Sequence, residues 1–305
     1  MTVFIQLIFR LLSVLPLPVL HAGGWLMGWA SFVLSGRYRR RLLANARQAG
    51  LSLRTALVSV GESGKMVAET PRLWLGKPMR MGWEGASVVE SALTHGSGVL
   101  FLTPHLGCFE ITAQALAQRF GERMPITVLF RPSRQPALRD LVATARERPH
   151  LFTAPTTLAG VKQLIKALKS QQAVGLLPDQ VPPAGQGVWA PFFGREAYTM
   201  TLSARLAQTA GVQLVLIWGE RLSWGRGYLV HVRPCPVEGG LSRDPLIAAT
   251  QINQAMEALV RECPAQYIWS YDRYKTPHGL AATDAGTARS LIDRPVPPDL
   301  HADDT

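Results

Sequence analysis

The chain has 305 residues, a formal net charge of +11 and a pI of about 10.1, with 47% hydrophobic and 17% charged residues. That length suits one large domain or two small ones, and the charged fraction is below the roughly 25% usual for soluble domains. The basic excess fits either a nucleic acid or an anionic membrane. Its placement argues against nucleic acid: no Asp or Glu precedes Glu62, seven arginines do, and the densest run, Arg37 to Arg41, directly follows an apolar segment.

That segment is "LLSVLPLPVLHAGGWLMGWASFVLSG", residues 11–36, with no charge beyond any that His21 takes up. It is long enough to cross a bilayer, which needs about 20 apolar residues. Pro16 and Pro18 break or kink a helix, and Gly23 and Gly24 loosen one. Residues 1–36 therefore read as a membrane anchor, either a span or a re-entrant hairpin. The basic run follows the apolar stretch, which argues against a cleaved signal peptide. The positive-inside rule keeps Arg37 and Arg39 to Arg41, and the chain after them, in the cytoplasm.

Residues 37–76 read as helical, ending near "PRLWLG". Strand-like and helix-like stretches then alternate. "GVLFLTP" (98–104) reads as a buried strand, "CFEITAQALAQRF" as a helix, "PITVLFR" (125–131) as a strand and "PALRDLVATARER" as a helix. "LFTAP" is short and extended, "TLAGVKQLIKALKS" helical, "AVGLLPD" (173–179) a strand, and "TLSARLAQTAG" a helix closed by Gly211. "VQLVLIW" and "GYLVHVRP" are further strands, and "DPLIAATQINQAMEALVREC" a long amphipathic helix. The alternation predicts an α/β domain over 37–276 with a mixed, largely parallel sheet flanked by helices. From Pro277 onward Pro, Asp, Ala and Gly dominate, and 277–305 reads as a loose tail. Cys108, Cys235 and Cys263 are odd in number and scattered, without metal-type spacing, as expected of reduced thiols.

In such folds functional groups gather at the C-terminal ends of strands. Four polar clusters fall after predicted elements: His105 with Glu110, Arg131 with Arg134, Asp179 with Gln180, and Arg273, Tyr274 and Lys275 after "YIWSYD". Neutral imidazole is the usual side-chain base near pH 7. A carboxylate on its far nitrogen fixes the tautomer and stabilises the imidazolium. With His105 at a strand end and Glu110 in the first helical turns, the two can meet across the corner. The alternative is a surface histidine and a glutamate serving the helix dipole. "SVGESGKM" (59–66) looks like a phosphate loop, but its first glycine is misplaced and Met66 replaces the Ser or Thr after Lys65. There is no G-x-S-x-G elbow, which argues against a serine hydrolase.

An ordered set of blocks carries a wider signal. The apolar N-terminal segment and Arg-rich helices lead to "AETPRLWLGK". Next come "HLGCFE", "LFRPSRQPALRD", "LLPDQ" before "PFFGREAYTMTLSARLA", and "CPAQYIWSYDRYKT". In this set the chain resembles the lipid A biosynthesis acyltransferases, H-x4-D/E enzymes of the bacterial lysophospholipid acyltransferase type, over about 1–277. The resemblance implies a glycerolipid-acyltransferase-like fold on the cytoplasmic face of a bacterial inner membrane. It implies that His105 takes the proton from a hydroxyl of a lipid A precursor, with Glu110 orienting His105. The oxygen would attack the thioester of acyl carrier protein or acyl-CoA, with no other cofactor, no metal and no covalent enzyme intermediate. Arg131 matches the position expected to meet an acceptor phosphate, and Asp179 with Gln180 would support the site. Phe192, Phe193 and Gly194 would line an acyl-chain groove or else pack in the core, and Arg273 and Lys275 would meet anionic head groups or the acidic carrier protein, or serve a plain surface role. The other readings are an acyltransferase for another membrane lipid and a non-catalytic lipid-binding protein, which needs no dyad. Three departures stand out: Gln135 where many relatives have Asn, Asp272 where a basic residue often stands, and Tyr274 in place of Phe.

Overall fold

The computed structural model describes residues 2–130, 148–209, 211–237 and 240–279. The N-terminal part is helical. Pro16 separates α1 (Thr2–Val14) from α2 (Leu17–Leu34), so the segment expected to form one anchor is two helices, with Pro18 tolerated in the first turn of the second. Among the described residues α2 is the one helix long and apolar enough to cross a membrane. α3 (Gly36–Gln48) and α4 (Leu53–Leu75) follow, their first turns capped by the Ser35 and Ser52 hydroxyls, which accept from the Tyr38 and Thr55 N–H groups.

Helix α2 lies along α4. Its buried residues, Leu17, Leu20, His21, Gly24 and Gly28, recur at helical spacing and face one way. The two backbones nearly touch: a Cβ on Gly64 would lie 1.9 Å from the Gly24 carbonyl oxygen, and one on Gly28 would lie 2.2 Å from that of Val60. This is the small-residue contact that lets apolar helices approach closely. It also accounts for "SVGESGKM": Gly61 faces the Trp25 ring and Gly64 faces Gly24. The opposite face of α2 exposes Val19, Leu26 and Leu34, and α1 exposes Leu7, Leu11 and Val14.

The helices lead into a seven-stranded sheet in the order β1-β9-β8-β2-β5-β3-β4, formed by β1 (Met81–Glu84), β2 (Val99–Leu102), β3 (Ile126–Phe130), β4 (Leu151–Pro155), β5 (Ala173–Leu176), β8 (Gln213–Arg221) and β9 (Tyr228–Pro234). All neighbours pair parallel except β8 with β9. Both faces are covered, so the central strands are apolar throughout, as parallel sheets require. Val99, Phe101, Val215 and Ile217 face α5 (Ala86–Thr94) and α6 (Phe109–Phe120). Leu100, Leu102, Leu216 and Trp218 face α7 (Leu158–Lys169), α9 (Pro245–Glu262) and the N-terminal helices. Each fully buried Leu of this kind contributes about 1.5–3 kcal/mol.

This is the expected mixed, largely parallel sheet. Sequence pattern missed β1 and α5, and it missed the antiparallel hairpin β6 (Gly187–Phe192) and β7 (Arg195–Met200) ahead of the short α8 (Leu202–Ala207). In that hairpin Phe192 and Phe193 are both buried in the core. The helix expected over 136–148, apart from Arg148, and the expected tail from 280 on lie outside the described residues.

A second feature of α4 is a buried charge cluster. Glu69 is 1% exposed and takes a two-pronged pair from Arg221 at the end of β8, with Nε at 2.9 Å and Nη2 at 2.7 Å. It also meets His21 of α2 at 3.0 Å and the Tyr228 hydroxyl at 3.1 Å. Burial works against this carboxylate, but the charge and hydrogen bonds of Arg221 and His21 outweigh it. They hold Glu69 at about 2 against an ordinary 4.5. A depressed carboxyl contributes stability above its unfolded value and loses it as pH falls towards its folded one. Glu69 should therefore contribute about 3 kcal/mol above pH 4.5, lost progressively between 4.5 and 2. Thermal unfolding of the full chain should show Tm falling more steeply below pH 4.5 in wild type than in Glu69→Gln. Parallel slopes would refute this account of the cluster.

Candidate active site

The site is set by register. Leu102 of β2 and Leu176 of β5 are partners in adjacent parallel strands, and the Thr103 N–H continues the ladder onto the Leu176 carbonyl at 3.1 Å. His105 and Asp179 each stand three residues past those paired ends, so both emerge side by side at the C-terminal edge of the sheet. The chain leaves β2 towards α6 and leaves β5 towards the β6–β7 hairpin, which opens a crevice between them of the kind α/β proteins use for ligands.

Asp179 grips His105 twice. Oδ2 accepts the His105 backbone N–H at 2.8 Å and Oδ1 lies 2.7 Å from Nδ1. A third donor, the Tyr267 hydroxyl, reaches Oδ2 at 3.2 Å. Burial opposes the charged form of Asp179. The charge and hydrogen bonds of His105, with Arg273 behind, overcome that and hold its carboxyl below the usual aspartate range. An ionised carboxylate only accepts, so Nδ1 carries the proton and Nε2 presents a lone pair. The Gln180 amide nitrogen sits 3.0 Å from that Nε2 and donates to it. The Phe109 ring lies against the imidazole, with centroids 4.7 Å apart.

The carboxylate on His105 is therefore Asp179 and not the expected Glu110. Glu110 occupies the first turn of α6, where the helix dipole favours an anion, and accepts from the Trp74 indole at 3.3 Å. It shares with His105 the wall of a cavity of about 290 Å³ between α6 and the sheet, whose inner lining is Phe101, Ile126, Val128, Gly175 and Ile217.

The remaining expected residues separate. Arg131 and Arg134 lie outside the described residues; the strand before them, β3, pairs with β5. Arg273 is not a head-group ligand. It is 3% exposed and ties the hairpin to α9, donating to the Tyr198 carbonyl at 2.8 Å and the Thr199 hydroxyl at 2.7 Å, with Asn253 Oδ1 at 3.4 Å. Burial lowers its proton affinity from the ordinary value. Lys275 is exposed, its ammonium 5.4 Å from the centre of the Tyr271 ring. Two departures find structural partners: Asp272 pairs with Arg41, and the Tyr274 hydroxyl donates to the Phe192 carbonyl at 2.9 Å. Sequence reading passed over Tyr267, Trp74, Glu69 and Arg221. Glu69 and Trp74 stand in the block "AETPRLWLGK" and Tyr267 in "CPAQYIWSYDRYKT", but nothing in their spacing points at Arg221 or Asp179, and Arg221 stands in no block. Among the described residues no three His, Cys, Asp or Glu side chains are placed to share a metal ion.

Fold and site define an α/β protein built around a carboxylate-oriented histidine beside an apolar cavity, equipment for drawing a proton from a hydroxyl next to an apolar ligand. The bacterial lipid A biosynthesis acyltransferase pattern matches residues 53–276, and the chain belongs to that family of acyltransferases. It is 27% identical to the lipid A biosynthesis lauroyltransferase of Escherichia coli (strain K12) over 278 residues, 87% of this chain and 89% of that one. It is 27% identical to lipid A biosynthesis acyltransferase 2 of Shigella flexneri over 226 residues, 73% and 68% of the two chains. A lipid A biosynthesis acyltransferase of Haemophilus influenzae is 26% identical over 289 residues, 88% of each.

The two carboxylates can be told apart. In Asp179→Asn the amide can donate to Nδ1, which moves the ring proton to Nε2 and removes the basic lone pair. Acyl transfer should fall by about 10²–10⁴-fold. Glu110→Gln keeps an acceptor for Trp74 and should lose less. Steady-state rates in the reverse order would return the orienting role to Glu110.

Proposed function

We propose that this protein transfers a fatty acyl chain from an acyl thioester, acyl carrier protein by preference, to a hydroxyl of a lipid A precursor. In this reading the transfer is a late acylation of lipopolysaccharide assembly, carried out on the cytoplasmic face of the inner membrane. The observation that supports this best is the Asp179–His105–Gln180 row beside an apolar cavity. His105 Nε2 takes the acceptor hydroxyl proton as the oxygen attacks the thioester carbonyl. The tetrahedral intermediate collapses with cleavage of the C–S bond, and the thiolate leaves with the proton from His105. Asp179 keeps the ring in the productive tautomer and stabilises the imidazolium between those two steps. Gln180 must release Nε2 when the hydroxyl binds, which frees its amide to donate to the carbonyl oxygen. The acyl chain lies in the cavity, and Arg131 receives an acceptor phosphate, a task suited to a planar guanidinium. The exposed apolar residues of α1 and α2 meet the lipid, with Arg37, Arg39 and Arg40 against anionic head groups.

His105→Ala, assayed as purified enzyme, should lose about 10²–10⁴-fold in rate or more while remaining folded. Near-normal turnover would refute the mechanism. Gly175 tests the acyl assignment. A Cβ there would sit 3.1 Å from Val128 Cγ1, on the cavity wall. Gly175→Val should shift the products towards shorter acyl chains by lipid mass spectrometry, and an unchanged profile would place the chain elsewhere. Arg131→Ala should raise the acceptor KM with a smaller change in kcat, since a contact made equally in ground and transition states lowers KM alone. A selective loss of donor binding would reverse that orientation.

A further inference from the structure

The buried cluster around Glu69 has one direction that the mechanism does not use. Arg221 spends Nε and Nη2 on Glu69 and Nη1 on Glu62 at 2.9 Å, and Nη2 also reaches the carbonyl of Gly107 at 3.1 Å. Gly107 stands two residues past His105, in the loop that presents the imidazole. Its φ is +58°, and a Cβ there would lie 2.0 Å from the Gly219 carbonyl oxygen, so the loop runs hard against β8. The same loop is tied by the Gly107 N–H to the Gln266 carbonyl at 3.0 Å and by the Cys108 N–H to the Gly219 carbonyl at 2.7 Å. Arg221 is itself fixed at the main chain: the Gln266 side chain accepts its N–H at 3.0 Å and donates to its carbonyl at 2.9 Å.

A buried ion pair is weak evidence for a stability role, because desolvation offsets most of the attraction. Stability alone therefore leaves the shape of this cluster unexplained. It joins α2, α4, β8 and β9, through His21, Glu69, Arg221 and Tyr228, to a single loop carbonyl. We propose that Arg221 is a positioning residue for His105. Clamped by Glu69 and Glu62 of α4, its guanidinium holds the Gly107 carbonyl, and His21 makes that clamp depend on α2 lying against α4. Arg221 does not touch substrate. It acts through the backbone that sets the imidazole against Asp179.

The test uses the full chain in detergent micelles. Arg221→Lys keeps a cation beside Glu69 but cannot point in three directions, since an ammonium is a compact charge without the guanidinium fork. Its kcat should fall by at least about tenfold, with the KM for acceptor and for donor both within about twofold, the pattern of a lost transition-state geometry. His21→Leu should fall in the same direction, and His21→Gln, which keeps a donor for Glu69, should stay near wild type. The kinetic arm rests on the acyl-transfer reading. A second arm does not: ¹⁵N spectra of histidine-labelled protein, with His105 assigned by loss of its signals in His105→Gln. Wild type should show one Nδ1–H tautomer of His105, and Arg221→Lys or His21→Leu a shift towards tautomer exchange. Tautomer exchange in a variant of an enzyme that fails to transfer acyl chains would support the positioning role and refute the function. A folded Arg221→Lys with wild-type kcat and wild-type His105 signals would overturn the proposal. So would a loss confined to KM, which would place Arg221 in substrate binding. Where Arg221→Lys does not fold, unchanged kcat and spectra in His21→Leu overturn the link to α2 and the proposal with it.

Discussion

A carboxylate buried to 1% exposure at the end of a central strand must be surrounded by donors to stay ionised, and Asp179 sets that requirement for the whole site. His105 answers it through both its main chain and its ring, so the two carboxylate oxygens close onto one residue. Backbone position and ring orientation are then fixed by a single partner. Tyr267 brings in the C-terminal segment, and the charge of Arg273 brings in the strap between the hairpin and α9. Three distant pieces of chain meet because one acid needs them. The imidazole is held in one orientation, the condition that preorganised sites use to lower a barrier.

The N-terminal helices answer an opposite constraint. A protein that meets lipid needs apolar residues outward, and α1 and α2 show Leu7, Leu11, Val14, Val19 and Leu26 on their outer side. Facing inward, α4 carries Glu62 and Glu69, which would be prohibitive without Arg221. Glycines let the two demands share one contact, since at Gly24 and Gly64 the helix axes come close enough for His21 to reach Glu69.

Much of the fold was legible because buried parallel strands and amphipathic helices write their periods directly into the chain. "GVLFLTP" and "AVGLLPD" were read as strands whose ends carry chemistry, and the register of β2 on β5 puts His105 beside Asp179. What the sequence hides is which carboxylate reaches the ring. H-x4-E is local and suggests its own partner. Asp179 lies 74 residues away, and only strand order makes it a neighbour. Arg273 misled for the same reason: a basic residue near the end of a lipid-handling chain suggests head groups, yet Thr199 and Asn253 claim it in the core. The glycines of "SVGESGKM", whose spacing already argues against a phosphate loop, find their use against another helix, which no local pattern could reveal.

With Asp179 holding the histidine, Glu110 has a different place in the architecture. It sits in the first turn of α6 and accepts from Trp74 near the C-terminal end of α4. The carbonyls of Leu73 and Trp74, which the helix itself leaves without partners, are capped by Arg148, three residues before β4, and, at Leu73, by Gln114 of α6. So α4 is fastened at one end to the wall of the cavity, at its middle to the histidine loop through Glu69 and Arg221, and along its length to α2. A rigid helix fastened at three such points transmits displacement. Through α4, helix α2, the loop that carries His105 and the cavity wall are then linked by hydrogen bonds. On the acyl-transfer reading proposed above, the helix that exposes apolar residues is also tied to the element that holds the histidine geometry.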